Sequence, residues 1–183
     1  MSAETRQATI QDMQALPDDG HRYDLIRGEI IQLAPATGEH GAIAGEIARL
    51  IGNVARPERR GRVYTAEAGF VLAHDPDVLL CPDVSFVRSS RLGPLDEQRG
   101  FLDLAPDLAV EVLSPSESLR SIREKVSAYL DGGTQAVWVV DPVRRSVTVY
   151  LADGSITLLS EDEDLTGGDM LPGFNVTVAE IFE

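Results

Sequence analysis

Leu108-Ala109-Val110-Glu111-Val112-Leu113, followed by Ser114-Pro115-Ser116-Glu117, is the stretch that decides the fold. A short run that is apolar except for one acid has the pattern of a central strand covered on both faces. Ser114, Pro115 and Glu117 form a capping box with proline at the first helical position. A helix therefore opens there, or one turn later at Ser118, and runs to Leu130. Gly132-Gly133 stops it, and residues 137–141 make the next apolar strand. Strand, helix and strand in that order describe a crossover unit at the centre of a sheet.

Working outward, residues 9–16 read as a short helix ended by Pro17. Residues 22–26 and 29–33 read as two strands joined at Gly28, a hairpin. Ile43, Ile47, Leu50, Ile51 and Val54 recur at helical spacing over residues 39–55, and Pro57 closes that helix. Residues 63–67, 69–72 and 84–87 are strand candidates, and the polar stretch 89–100 is a loop. Beyond the crossover unit, residues 146–151 and 155–159 complete a meander. Its last two strands are joined by Asp153-Gly154, a type I′ signal. Residues 171–183 read as a turn and a short terminal helix. The expectation is an α/β (α+β) fold in a single domain over residues 1–183, a mixed β-sheet flanked by helices.

Composition narrows the function. The chain has 183 residues, 43% hydrophobic and 25% charged, which suits a folded domain rather than a disordered one. No apolar run approaches the ~20 residues that span a bilayer. The opening residues lack the basic-then-apolar layout of a signal peptide, and Cys81 has no second cysteine to pair with. A cytoplasmic protein with no membrane association is expected. The net charge of −14 weighs against avid, non-specific binding to nucleic acid, because phosphate neutralisation usually supplies that affinity. A local basic groove remains compatible with it.

Two acids are hard to explain as plain surface. Glu111 lies inside an apolar strand, where an unpaired carboxylate is strongly unfavourable, so it must be protonated, paired or bound to a cation. Asp83 opens an apolar strand directly after Pro82. Two oxygen ligands on neighbouring strands, completed by water and substrate phosphate, are a common way to hold Mg²⁺. Lys125 is the only lysine. On a helical wheel Leu119, Ile122, Val126, Tyr129 and Leu130 form an apolar stripe, with Lys125 on its margin. Its stem can lie on the core while the ammonium reaches the sheet edge, where it could position a water or offset transition-state charge.

These residues sit in motifs that resemble one family: Tyr23-Asp24-Leu25-Ile26-Arg27-Gly28-Glu29, Cys81-Pro82-Asp83-Val84-Ser85-Phe86-Val87, Pro106-Asp107 leading into Leu108–Ser116, Lys125 with Tyr129-Leu130, Val137-Trp138-Val139-Val140-Asp141-Pro142, and Leu171-Pro172-Gly173-Phe174. In order, from about residue 9 to 182, they resemble the Uma-two family of proposed restriction endonucleases. The resemblance implies a PD-(D/E)XK nuclease-like fold, with Asp83 and Glu111 as catalytic acids and metal ligands and Mg²⁺ or Mn²⁺ as cofactor. The superfamily's usual lysine stands two residues after the second acid, where this chain has Leu113. Lys125, on the following helix, matches the family's lysine instead.

Three further residues are candidates around that centre. Glu29 matches an acidic position of the opening motif, His40 starts the long helix on its inward side, and Glu46 borders that helix's apolar stripe. Arg56, Arg59, Arg60 and Arg62 form the densest basic cluster, a solvated helix exit or a phosphate contact. The function expected is a metal-dependent endonuclease acting on nucleic acid, DNA foremost, with a homodimer suited to two-strand cleavage. The alternatives are a catalytically silent binding or regulatory protein and a small-phosphoester hydrolase.

Overall fold

Thr9 opens the first helix, α1 (Ile10–Gln14), by accepting the Asp12 amide while the Asp12 carboxylate accepts the Thr9 amide. The strands β1 (Tyr23–Ile26) and β2 (Glu29–Gln32) then form a hairpin. Its turn residues Arg27 (φ 50°) and Gly28 (φ 82°) both take the left-handed conformation that a type I′ turn demands. Thr37 caps α2 (Gly38–Ala55), which buries Ile43, Ile47, Leu50 and Ile51 along one side. Next come β3 (Gly61–Thr65), β4 (Phe70–Ala73), β5 (Val78–Leu80) and β6 (Val84–Arg88). The crossover unit is β7 (Leu108–Val112), α3 (Leu119–Asp131) and β8 (Ala136–Asp141). The chain ends with β9 (Ser146–Leu151), β10 (Ile156–Leu159), β11 (Asp164–Thr166), β12 (Asn175–Thr177) and a 3₁₀ turn. The computed structural model describes residues 6–17, 19–115 and 117–183; Ser116, part of the expected capping box, lies outside them, as do residues 1–5 of the expected domain.

Among the described residues the main sheet has the order β10-β9-β8-β7-β6-β3. β7 and β8 run parallel, as the crossover predicts, and the other neighbours are antiparallel. A second sheet, β2-β1-β5-β4, and a small β11-β12 ribbon complete the architecture. Both faces of β7 and β8 are covered. Val110, Val112, Trp138 and Val140 meet α2 and the C-terminal residues. Ala109, Val137 and Val139 meet α3, together with Phe70, Leu72 and Leu80 of the second sheet. Each fully buried large side chain contributes about 1.5–3 kcal/mol, so this double layer fixes the strands that carry the acids. No helix among the described residues is long and apolar enough to cross a membrane.

Of the two helix starts expected, the later is found: Ser118 caps α3 by accepting the Ser121 amide. Two local expectations are corrected, and three strands are added. Leu119 is 72% exposed and off the buried stripe, because the later start places it in the first turn, beyond the sheet. At the β9–β10 hairpin only Gly154 (φ 88°) is left-handed, so the loop is Ala152-Asp153-Gly154 rather than a type I′ pair. The strands β5, β11 and β12, three residues each, went unread because alternation cannot register over so short a span.

Candidate active site

The antiparallel ladder between β6 and β7 pairs Ser85 with Ala109 and Val84 with Val110. One step further sets Asp83 opposite Glu111, and residues directly opposed in a sheet project from the same face. The Val112 amide donates to Asp83 Oδ2 at 2.9 Å, tying the first acid to the strand that carries the second. Both are buried, Asp83 at 6% exposure and Glu111 at 2%.

The Ser118 cap sets the phase of α3 so that Ile122, Lys125, Val126 and Tyr129 face inward. Lys125 Nζ donates to Glu111 Oε2 at 2.9 Å and lies 3.4 Å from Asp24 Oδ2 and 3.5 Å from Glu117 Oε1. The Tyr129 hydroxyl donates to Glu111 Oε1 at 2.7 Å, so both oxygens of this acid are engaged. Burial pushes the Glu111 carboxyl up to about 7, with Asp83 and Asp24 reinforcing and Lys125 opposing. Burial also works against the Lys125 charge, but Glu111, Asp24 and Glu117 outweigh it and hold the ammonium above its ordinary range.

His40, in the first turn of α2, places Nε2 3.0 Å from Asp83 Oδ2. That hydrogen bond raises the imidazole pKa, burial opposing it. Burial would raise Asp83, yet the His40 bond and charge and the Val112 amide hold it below the usual carboxylate value. Arg22 Nη1 lies 3.6 Å from Asp83 Oδ1. Arg22, His40, Asp83, Glu111, Glu117 and Lys125 line one cleft of about 340 Å³, roofed by residues 31–36.

Asp83, Glu111, Lys125 and His40 are thus brought together; Glu29 and Glu46 are not. Glu29 is exposed and lines a separate groove with Arg27 and Arg120, because the type I′ turn points the hairpin end away from the cleft. Glu46 is held by Arg49 one helical turn away. The basic cluster makes local contacts: Arg60 bonds the Pro172 carbonyl and Glu58, and Arg62 the Gly93 carbonyl. The sequence reading assigns no site role to the two further carboxylates near Lys125, Asp24 and Glu117. Asp24 is buried beneath Lys125, with Oδ1 accepting the Cys81 amide at 3.0 Å. In a short hairpin strand an acid reads as outward-facing, and only knowledge of Lys125's position could have turned it inward.

Among the described residues no three His, Cys, Asp or Glu side chains assemble into a ready metal cage. The donor chemistry nevertheless fits a hard cation. Asp83 and Glu111 present carboxylate oxygens to the same cleft, and Mg²⁺ or Mn²⁺ needs only one or two such ligands when water and substrate complete the shell. A soft-metal site is disfavoured, since burial pushes the Cys81 thiol up to about 12 and keeps it protonated.

Comparison with known proteins agrees with this architecture. A crystal structure described as that of a "putative nuclease belonging to DUF820" from Anabaena variabilis is similar to this chain, with a TM-score of 0.85 and 25% sequence identity. The match covers 95% of this chain and 97% of that one. No curated protein matches the chain. The profile of the Uma2 family, described as "Putative restriction endonuclease", matches residues 10–179. With nearly its whole length matched, the chain belongs to the Uma2 family.

Proposed function

We propose that the protein is a divalent-cation-dependent phosphodiesterase that cleaves nucleic acid, with DNA as substrate and Asp83 and Glu111 holding Mg²⁺ or Mn²⁺. The observation that carries this reading is that Asp83, bonded to the Val112 amide, and Glu111 line one cleft, with the Lys125 ammonium on Glu111. The cation, when bound, supplies Lewis acidity toward a phosphoryl oxygen and lowers the pKa of water. Lys125 has three N–H donors and uses one on Glu111, which leaves donors to place a water or to meet charge developing on phosphate. His40 steadies Asp83 and can hold a proton at Nε2 beside it. The apolar layers on both faces exclude bulk water and strengthen each of these interactions.

Membership of a family named for nuclease activity supports this assignment. A small phosphoester is the second reading, favoured by the −14 charge and the modest size of the cleft. Cleavage of duplex DNA, single-stranded DNA and nucleotide monoesters, each with Mg²⁺ or Mn²⁺, separates the two. Asp83→Ala should abolish metal-dependent cleavage while the circular dichroism spectrum stays native; undiminished cleavage by that variant removes the assignment. Calorimetry with Mn²⁺ that detects no binding would instead favour a catalytically silent binding protein.

A further inference from the structure

We infer that Arg22 is the phosphate-binding residue of the cleft, placing its guanidinium on the two non-bridging oxygens of a phosphodiester beside Asp83. The inference rests on the proposed phosphodiesterase reading and assigns a residue that reading does not use.

Arg22 stands just before β1, and its carbonyl accepts the Leu33 amide at 2.9 Å, so its backbone is pinned where the hairpin closes. Its side chain is only 22% exposed and lines the cleft. Nη1 is buried and finds no hydrogen-bond partner among the described residues. The Asp83 oxygen at 3.6 Å is beyond hydrogen-bond reach and offers attraction without satisfying the donor. A buried donor without an acceptor is unfavourable, and an anion entering the cleft would satisfy it.

The other cations of the cleft each have a hydrogen-bonded carboxylate. Lys125 is surrounded by Glu111, Asp24 and Glu117 within 3.5 Å, and His40 is bonded to Asp83. Arg22 keeps a buried Nη1 donor that still lacks an acceptor among the described residues. A guanidinium presents paired N–H groups in a planar fork that matches two phosphate oxygens, which a lysine ammonium cannot reproduce. Arg22 lies beside Asp83 in the cleft that Lys125 also lines. A phosphate held there would share the cleft with the Lys125 ammonium.

This role makes two predictions of opposite sign. Arg22 is a positive charge near an oxygen expected to hold a cation, so removing it should tighten cation binding. It also binds substrate, so removing it should slow cleavage. A residue that merely propped up Asp83 would weaken both when lost.

The test uses Arg22→Gln and Arg22→Lys, with Mn²⁺ binding by calorimetry and hydrolysis of bis(p-nitrophenyl) phosphate, a phosphodiester without bases or sugar. Arg22→Gln should lower kcat/KM by about tenfold or more, as loss of a charge-assisted hydrogen bond implies. It should bind Mn²⁺ about threefold tighter or better. Arg22→Lys should keep the wild-type Mn²⁺ affinity and still lose activity, because the charge remains and the fork does not. Thermal melts confirm that each variant is folded, and Arg22→Lys carries the test if Arg22→Gln is not. Unchanged kcat/KM in folded variants, or activity and Mn²⁺ affinity falling together, overturns the inference and leaves the proposed function intact. Wild-type protein that neither binds Mn²⁺ nor hydrolyses any phosphodiester overturns both.

Discussion

The Lys125 ammonium lies 2.9 Å from Glu111 Oε2, joining a helix to the strand that precedes it across 14 positions of chain. Around that bond sit Asp24 and Glu117, so a single cation offsets three carboxylates in a buried setting. Removing one partner of such a group leaves charge without compensation. Lys125→Met should cost about 3–5 kcal/mol in chemical denaturation, and adding Asp24→Asn should recover part of the loss. An unchanged denaturation midpoint in Lys125→Met would contradict this account of the cluster.

Stability should fall as the solution becomes more alkaline. Glu111 has an ordinary value of 4.5 and is pushed up to about 7 in the fold. Between those values the unfolded chain has released a proton that the folded protein retains, so the stabilisation present below 4.5 is lost as pH rises through 7. His40, raised from 6.5 by its bond to Asp83, acts in the same direction, its contribution being lost as pH passes its raised value. The Glu111 part is on the order of 3 kcal/mol, or roughly 6–12 °C in Tm. Melts in buffers from weakly acid to weakly alkaline pH should show that decline, and Glu111→Gln should flatten most of it. A decline of the same size in that variant would assign it elsewhere.

Asp107 provides a control for Asp83, since both follow a proline. Its carboxylate is fully buried and accepts the Arg88 amide at 2.8 Å and Arg88 Nε at 2.9 Å, with Arg91 Nη1 at 3.1 Å. The arrangement braces the β6–β7 connection rather than a cleft. Asp107→Asn should cost about 2–3 kcal/mol and leave the Mn²⁺ affinity of the folded protein unaltered. Loss of Mn²⁺ binding in that variant would mean the two acids are not independent.

Glu29→Ala and Glu46→Ala should shift stability by no more than about 0.5 kcal/mol, since both carboxylates are at the surface or paired on it. Mn²⁺ titrations of the two variants should overlay the wild type. A weakened titration for either would return that residue to the site.

The central crossover was legible because its cues agree: an apolar run, a cap and a double glycine all specify strand, helix and strand. Glu111 was legible for the same reason, as a charge that such a strand cannot bury alone. Lys125 stood out by being the only lysine, although the wheel put it at the margin of a face it occupies fully, at 5% exposure. Asp24 was hidden because its burial depends on α3 folding over the hairpin, a tertiary event that no local pattern records. Glu117 was read only as a cap residue; it does approach the Ser114 amide, at 3.4 Å, but it also reaches Lys125. The strand β5 was masked by Asp77 and Pro82 on either side of three apolar residues and Cys81.

The opposition of Asp83 and Glu111 has a consequence for how the protein can fail. Side chains alternate along a strand, so a slip of one residue between β6 and β7 would send one acid through to the α2 side. No loop adjustment could repair that, because the alignment belongs to the middle of the main sheet. Central strands open only with the whole molecule, unlike lids or surface loops. Warming or denaturant should therefore abolish Mn²⁺ binding and native structure in one shared transition, with no folded but metal-blind species preceding it.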